Sequence, residues 1–361
     1  MTARLLKGSP AIVLVVVGLL LPQMISDFRL RQMTGWIAIA IAALGLNLLT
    51  GYNGQISVGH SAFFGVGAYS CGLLMMEAGW SMLPAAVGAI VISFVVGIVI
   101  GLPALRIKGL YLALVTLSVA VLFPELVKQV PDLTGGSSGL DITSPEVNSR
   151  GVEVEQSVKL LSPEWAGQTK DQWTFYVFFV AAVICFVIVR NLMSSRVGRA
   201  MIAVRDNEVA AEVNGVNVAQ VKVLTFGVSA ALAGFGGVVF ALWRAQLFPQ
   251  SFTLTLSLYI LVAVVIGGPA SIVGPAIGAI FVGLFQDVIT PELPERYAQA
   301  TPLILGVVLI LLMLVAPGGV AGLARLGAAR VQMSRSSAAA AVDTGHDPFS
   351  TNLSSNTEGA Q

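Results

Sequence analysis

The sequence predicts an all-α polytopic membrane protein with about ten transmembrane helices and a short helix at the cytoplasmic surface. Two observations support this fold class. Hydrophobic residues make up 56% of the 361 residues and charged residues only 11%, whereas soluble domains average about 25% charged residues. The hydrophobic residues also form long runs, and about 20 such residues suffice for a helix to cross a bilayer core of ~30 Å. The net charge of +1 gives no indication of a nucleic-acid partner, and none is expected.

Ten hydrophobic runs are candidate spans. The first is interpreted as an uncleaved helix, because no small-residue cleavage site follows Leu21-Pro22-Gln23 and further runs come after it. A Gly267-Gly268-Pro269 break separates the eighth and ninth runs, so these two could instead form one kinked or re-entrant element. The runs are Pro10–Ser26, Thr34–Thr50, Ile56–Met76, Met82–Leu102, Leu110–Val127, Trp173–Val189, Val223–Trp243, Thr253–Gly267, Ile272–Ile289 and Pro302–Ala316.

The distribution of Lys and Arg predicts the orientation. If each run crosses the bilayer and the N-terminus is cytoplasmic, twelve Lys and Arg residues lie inside and four lie in short outer loops. Short cytoplasmic loops carry an excess of Lys and Arg, so both termini are expected in the cytoplasm. The inner twelve are Arg4, Lys7, Arg106, Lys108, Arg190, Arg196, Arg199, Arg205, Lys222, Arg325, Arg330 and Arg335, and the outer four are Arg29, Arg31, Arg244 and Arg296.

The chain divides into a transmembrane domain over residues 1–326 and a tail over residues 327–361. The domain contains an external loop at 128–172 and a cytoplasmic loop at 190–222. The external loop is long and polar, which is typical either of an ordered functional loop or of a partly disordered spacer. The tail is rich in Ala, Ser, Asn and Thr, a composition that predicts disorder.

The sequence lacks several residues and motifs that particular classes of membrane protein require. No ionisable group lies near the middle of a predicted span, since Glu125 and Asp287 are near outer ends and His60 is near an inner end. Proton-driven carriers usually place a carboxylate there, although unwound backbone can bind sodium without one. The sequence has no P-loop, no metal-ligand spacing and no evident Ser/His/Asp set. We therefore expect no catalytic residue, no metal site and no cofactor in this chain.

The segment Ser194–Lys222 is a polar, cationic interruption of the hydrophobic sequence. Asp206 and Asn207 are good N-cap residues and Gly215 is a suitable residue to end a helix. The segment between them predicts a two-turn amphipathic helix at the cytoplasmic surface.

This predicted helix presents Val209 and Val213 on one face and Glu208 and Glu212 on another. A helix so short is marginal alone, so we expect it to dock on a partner surface. The alternative is a helix lying on lipid headgroups, although two acidic residues fit anionic lipid poorly.

A second polar cluster lies where the second run gives way to the third. Glycines within it allow close backbone approach or unwound turns, and polar groups at membrane depth are tolerated where they face protein or a water-filled path. The cluster is therefore either part of a translocation path or a polar contact between helices; for His60 alone, packing is favoured. Its residues are Asn47, Asn53, Gln55, Ser57 and His60.

The cytoplasmic segment resembles a loop of ABC importer permeases, whose E-A-A-x-x-x-G core inserts into a groove of the ATPase. Ala210, Ala211 and Gly215 match this core, and Glu208 lies one place from the usual acidic position. The longer string GRAMIAVRDNEVAAEVNGVNVAQVKVLTFGVSAALAGFGG, from Gly198, resembles the LivM-type permeases of branched-chain amino acid ABC importers. Over about residues 35–325 other motifs also resemble this family: GLNL from Gly45, GYNGQISVGH from Gly51, GGSSGL from Gly135, GGPASIVGPAIGA from Gly267 and PGG from Pro317.

The resemblance implies one of two membrane subunits of an importer in a bacterial inner membrane. It implies a related second permease, two cytoplasmic ATPase subunits that bind ATP and Mg, an external substrate-binding protein and a branched-chain amino acid as cargo. A related permease for urea or short-chain amides, and a secondary carrier acting alone, remain alternatives. The implied ATPase-coupling residues are Arg205, Asp206, Asn207, Glu208, Ala210, Ala211 and Gly215, and the implied docking loop for the binding protein contains Gly135, Gly136, Ser137 and Gly139.

Overall fold

The described part of the chain is a bundle of helices. The computed structural model describes residues 16–107, 109–142 and 168–292, with scattered positions between 303 and 322. Segments of π-helix at Asn47–Tyr52 and Phe285–Ile289 continue the first and last of the labelled helices. The helices are α1 (Asp27–Leu46), α2 (His60–Met76), α3 (Met82–Gly101), α4 (Leu110–Lys128), α5 (Lys170–Ser194), α6 (Arg196–Asp206), α7 (Glu208–Val213), α8 (Val218–Arg244), α9 (Leu254–Gly267) and α10 (Gly274–Leu284).

The predicted membrane fold is confirmed. Six helical segments in the described residues are long and apolar enough to cross a bilayer, and α9 is a shorter apolar helix. Helix α2 has 17 residues and occupies most of the third predicted run. Large parts of the first and last predicted runs, Pro10–Ser26 and Pro302–Ala316, lie outside the described residues, as do the predicted tail and the middle of the external loop.

Helix α8 is at the centre of the bundle and packs against α1, α2 and α3. Its small residues allow this close packing, because a Cβ on Gly234 would collide with Ser93 and one on Gly237 would collide with the carbonyl of Phe64. Membrane helices commonly associate through such small residues, since no hydrophobic effect drives their contact within lipid. By contrast α3 exposes Leu83, Val87 and other large apolar residues, as a surface facing lipid or another apolar helix would.

The bundle has two different ends. At one end β1 (Leu140–Asp141) pairs antiparallel with β2 (Gln246–Leu247). We call this the ribbon end. The opposite end carries α6 and α7, and we call it the α7 end.

Helices α9 and α10 form an antiparallel hairpin whose turn lies near the α7 end. A Cβ on Gly267 would collide with Gly274, and one on Gly278 would collide with Ala263, so the two backbones are in close contact on both sides of the turn. The chain reverses direction here. Residues 253–289 therefore form two helices and not one kinked helix, and this hairpin is compatible with two spans or with a re-entrant element.

The third predicted run was placed too early. Ile56 was expected to begin a helix, but residues 54–59 have no regular structure and α2 begins at His60. Gly54 has a positive φ of 74°, which a helix cannot accommodate. Thr50 Oγ1 donates a hydrogen bond to the carbonyl of Gln55 at 3.1 Å, which stabilises this irregular segment.

Candidate coupling and gating site

Helix α7 has an N-cap residue at its start and a glycine with positive φ after its end. Asn207, in an extended conformation, accepts a hydrogen bond from the backbone N–H of Ala210 at 3.0 Å through its side chain, which makes it the N-cap. Gly215 has a φ of 81° and follows the last turn, as a C-terminal glycine does. The predicted helix is present, although Asp206 ends α6 rather than capping α7, and α6 itself was not predicted.

The exposed face of α7 is apolar. Val209 is 71% exposed and Val213 is 83% exposed, and the two are neighbours along the helix at a spacing of four residues. Ala210 and Glu212 are also exposed, and nothing lies within 4 Å of a Cβ built on Gly215. These five residues form what we call the α7 surface.

Ala211 and Glu208 belong to the opposite side of the helix. Ala211 is buried at 4% exposure, so it contacts the bundle. Glu208 accepts a hydrogen bond from Lys222 Nζ at 2.5 Å, in an ion pair where the Lys222 side chain is only 8% exposed. The Glu208 side chain therefore points toward α8. Lys222 was absent from the predicted site, although a lone cation at the start of a hydrophobic run is the signal that could have identified it.

Arg205 connects α6 to the end of the α1 extension. Its Nη1 donates to the carbonyl of Gly51 at 3.0 Å, while Nε and Nη2 both donate to Asp206 Oδ1. A Cβ on Gly54 would lie 2.8 Å from Arg205 Cγ. The glycine therefore allows the arginine to pass close to the irregular segment.

A polar cleft of about 220 Å³ opens at the α7 end. Neither carboxamide atom of Asn53 has a hydrogen-bond partner among the described residues, and the same holds for Gln55 Oε1, yet both side chains are buried. Gln55 Nε2 donates to the carbonyl of Lys222 at 3.3 Å. Buried polar atoms without partners usually bind water or a ligand. The cleft is lined by Asn53, Gly54, Gln55, Ile107, Gly109, Leu112, Val204, Arg205, Asp206, Asn207, Glu208 and Lys222.

His60 and Ser57 are part of a satisfied hydrogen-bond network. Ser229 Oγ donates to the carbonyl of Gly45 at 2.6 Å and therefore accepts from His60 Nε2, which is 2.9 Å away. With the proton on Nε2, Nδ1 accepts from Ser57 Oγ at 3.2 Å. Both imidazole nitrogens have partners and His60 is 1% exposed. The geometry fits a packing role.

Asn47 joins the two glycine-rich breaks that the sequence showed separately. Its Nδ2 donates to the carbonyl of Ser271 at 2.7 Å, and its Oδ1 accepts from the backbone N–H of Ala270 at 2.9 Å. Asn47 is fully buried. Its carboxamide thus links the end of α1 to the hairpin turn through a donor and an acceptor.

The predicted docking loop lies at the ribbon end. Gly135, Gly136 and Gly139 all have positive φ, and a Cβ on Gly139 would lie 2.6 Å from the carbonyl of Leu247. The three glycines shape the turn that brings β1 onto β2. Ser137 and Ser138 are the exposed residues of the motif.

Within the described residues, no three His, Cys, Asp or Glu side chains are close enough together to hold a metal ion. The candidate site consists of three parts: the exposed helix α7, the ion pair between Glu208 and Lys222, and the polar cleft beside α7.

Comparison with known proteins identifies the family. The LivM permease protein of the high-affinity branched-chain amino acid transport system of Salmonella typhimurium is 28% identical over 324 residues, covering 86% of this chain and 74% of that protein. The LivH permease protein of the corresponding system of Escherichia coli K12 is 27% identical over 315 residues, covering 82% and 96%. A probable LivM permease protein of Methanocaldococcus jannaschii is 22% identical over 244 residues, covering 64% and 65%. No solved structure matches.

A family model described as branched-chain amino acid transport system, permease component, matches residues 29–316. These residues include all of α1 except its first two residues, all of α2 to α10, the polar cleft and the α7 surface. The resemblance seen in the sequence motifs is therefore confirmed, and the chain belongs to the family of permease components of branched-chain amino acid transport systems.

Proposed function

We propose that this chain is one of two membrane subunits of an ATP-driven importer, and that α7 docks into a groove of a cytoplasmic ATPase. The observation that carries this proposal is the α7 surface. It presents Val209 and Val213 to solvent on a helix with defined caps. A two-turn helix gains stability by burying such a face in a partner. In this proposal Ala211, which is buried, and Glu208, which is paired with Lys222, position the helix rather than contact the ATPase directly.

The proposed orientation places the α7 end in the cytoplasm and the ribbon end outside. Arg196, Arg199 and Arg205 lie in or next to the α6–α7 segment, and short cytoplasmic loops of membrane proteins are enriched in such residues. With this orientation both termini are cytoplasmic in an inner membrane. ATP and Mg are bound by the ATPase subunits, since the chain has no P-loop.

In this proposal the polar cleft is the cytoplasmic end of the translocation path. Asn53 and Gln55 line it with carboxamide atoms that have no partner among the described residues. Ser57 and His60 support the cleft through packing, and Asn47 fixes the hairpin beside it. Of the five residues predicted for the path, this proposal assigns Asn53 and Gln55 to its lining.

The cargo is proposed to be a branched-chain amino acid, because the family description and the names of the relatives both mention branched-chain amino acid transport. An external binding protein delivers it at the ribbon end, near the turn that exposes Ser137. A related second permease completes the membrane part. Similarity to both LivM and LivH proteins supports a pair of related subunits.

The test is co-purification of the chain with the ATPase subunits encoded beside it. Val213→Asp places a charge on the α7 surface, and we expect it to reduce the amount of ATPase recovered with the permease by at least about tenfold. The control is Val130→Asp, which alters an exposed valine (45%) at the ribbon end. Equal recovery of ATPase with both variants would contradict the docking proposal.

Cargo is tested separately by binding of leucine, isoleucine, valine and urea to the purified external binding protein. Tight binding of the amino acids supports the proposed substrate. Binding of urea alone would replace it with the amide alternative.

A further inference from the structure

Lys222 contacts both helix α7 and the polar cleft, the two parts that change position in the proposed mechanism. Its ammonium group is paired with Glu208, the first residue of α7, and its backbone carbonyl accepts a hydrogen bond from Gln55 in the cleft. The first contact belongs to the surface helix and the second to the proposed path. One route from α7 to the cleft therefore passes through this residue of α8.

The apolar contacts of α7 are too few to transmit such a displacement. Of its four apolar residues, Val209 and Val213 are largely exposed and Ala210 is exposed, so only Ala211 packs against the bundle. The ion pair is the strongest described connection on this side of α7. A buried charge requires its partner because the unpaired charge is poorly solvated, so a displacement of α7 that lengthens the contact between the Lys222 side chain and Glu208 costs free energy.

The ion pair also borders the cleft itself. Glu208 and Lys222 line the cleft together with Asn53 and Gln55. The distance between the ammonium and the carboxylate therefore influences the width of this opening as well as the position of α7.

We propose that the Lys222–Glu208 ion pair couples the position of α7 to the opening of the cleft at Gln55, with Lys222 as a positioning residue. This inference rests on the proposed function, because it assumes that α7 docks on an ATPase. The docked ATPase shifts α7, the ion pair carries the shift to α8, and the hydrogen bond to Gln55 transmits it to the cleft. Two sites are energetically coupled only if a contact differs between their states, and the ion pair supplies that contact.

The experiment uses three variants, each in the complete reconstituted complex. Two are the single variants Lys222→Met and Glu208→Gln. The third, the exchanged pair, is a double variant that carries both Glu208→Lys and Lys222→Glu. Transport per ATP hydrolysed is expected to fall about tenfold in each single variant, within the range of known coupling energies. The exchanged pair restores the opposite charges and is expected to recover transport to within about threefold of the wild type. The control is Arg31→Met, which removes an exposed ion pair with Asp171 at the ribbon end.

A second readout distinguishes coupling from a loss of folding. In an Asn53→Cys background, which keeps the Gln55 hydrogen bond to Lys222, the reactivity of the thiol with a water-soluble reagent is expected to depend on nucleotide. In Lys222→Met it is expected to become independent of nucleotide, while ATPase still co-purifies. If Lys222→Met does not fold, Glu208→Gln provides the same comparison, because Glu208 is partly exposed at 33%.

The outcomes separate the two proposals. Loss of ATPase co-purification in the Val213→Asp variant and not in the Lys222 variants supports both. Normal transport per ATP and a nucleotide-dependent thiol in Lys222→Met would overturn the coupling role of the ion pair and leave the docking proposal intact. An exchanged pair no better than the single variants would also overturn it.

Discussion

Asn47 holds Ser271, 224 residues away in the chain, by a hydrogen bond of 2.7 Å from its carboxamide to the serine carbonyl. The same carboxamide accepts from the neighbouring Ala270 N–H. One side chain on the first long helix therefore satisfies two backbone groups in the turn of the α9–α10 hairpin.

Replacing Asn47 with Leu is expected to destabilise the protein. The change removes the Asn47 donor from the buried Ser271 carbonyl, at a cost of ~1–3 kcal/mol, and also removes the hydrogen bond from the Ala270 N–H to Asn47 Oδ1. Thermal unfolding in detergent measures the loss. The control is Ser118→Ala, whose exposed hydroxyl only bonds back to Leu114 within its own helix. Equal melting temperatures for the two variants would contradict the role of Asn47.

Ser229→Ala tests whether His60 serves packing or cargo. The variant removes the acceptor for His60 Nε2 and is expected to lower stability by ~1–3 kcal/mol. The KM for cargo is expected to stay within about twofold of the wild type, because the imidazole does not reach the cleft. A changed KM with unchanged thermal stability would assign His60 to the path instead.

Cysteine substitution tests the path. In the Asn53→Cys and Gln55→Cys variants, the new thiols are expected to react with a water-soluble reagent applied from the α7 end. The His60→Cys variant is expected to be inert. The two native cysteines, Cys71 and Cys185, are buried and provide an unreactive background. Uniform inertness at both cleft positions, in every nucleotide state, would count against the path.

Gly139→Ala tests the ribbon end. The added Cβ would lie 2.6 Å from the carbonyl of Leu247, so β1 is expected to separate from β2. Stimulation of ATP hydrolysis by the loaded binding protein should then fall severalfold. Gly79→Ala is a matched control, since Gly79 also has a positive φ but no atom within 4 Å of its Cβ; both carry a backbone cost of ~1–2 kcal/mol. Equal stimulation in the two variants would show that the ribbon is dispensable.

The sequence predicted the fold well because the length of a hydrophobic run is a local property. The run at Met82–Leu102 and helix α3 at Met82–Gly101 agree to within one residue, and the caps at Asn207 and Gly215 were recognised from residue type alone. The prediction was wrong at Ile56. There, Ile56 and Val58 lie in an irregular segment, and the helix begins only at His60.

The site was less predictable, because its contacts join distant parts of the chain. Nothing local to Asn47 indicates a bond to Ser271, and nothing local to Gln55 indicates Lys222. Glu208 lies one place from the acidic position of the motif. Its ion pair with Lys222, fourteen residues later in the chain, depends on how α7 lies against α8. Residue types predicted where polar groups gather, and tertiary packing decided which of them have partners.

The hairpin turn also constrains the order in which the protein can be assembled in its membrane. Helix α9 has 14 residues, a length of about 21 Å at ~1.5 Å per residue, so its turn ends short of a ~30 Å hydrocarbon core. Without Asn47 the Ser271 carbonyl would lose its described hydrogen bond at a depth where lipid offers no replacement. Because α1 leaves the ribosome long before the hairpin, a partner is already in the bilayer when the turn arrives. A C-terminal fragment synthesised alone lacks that partner.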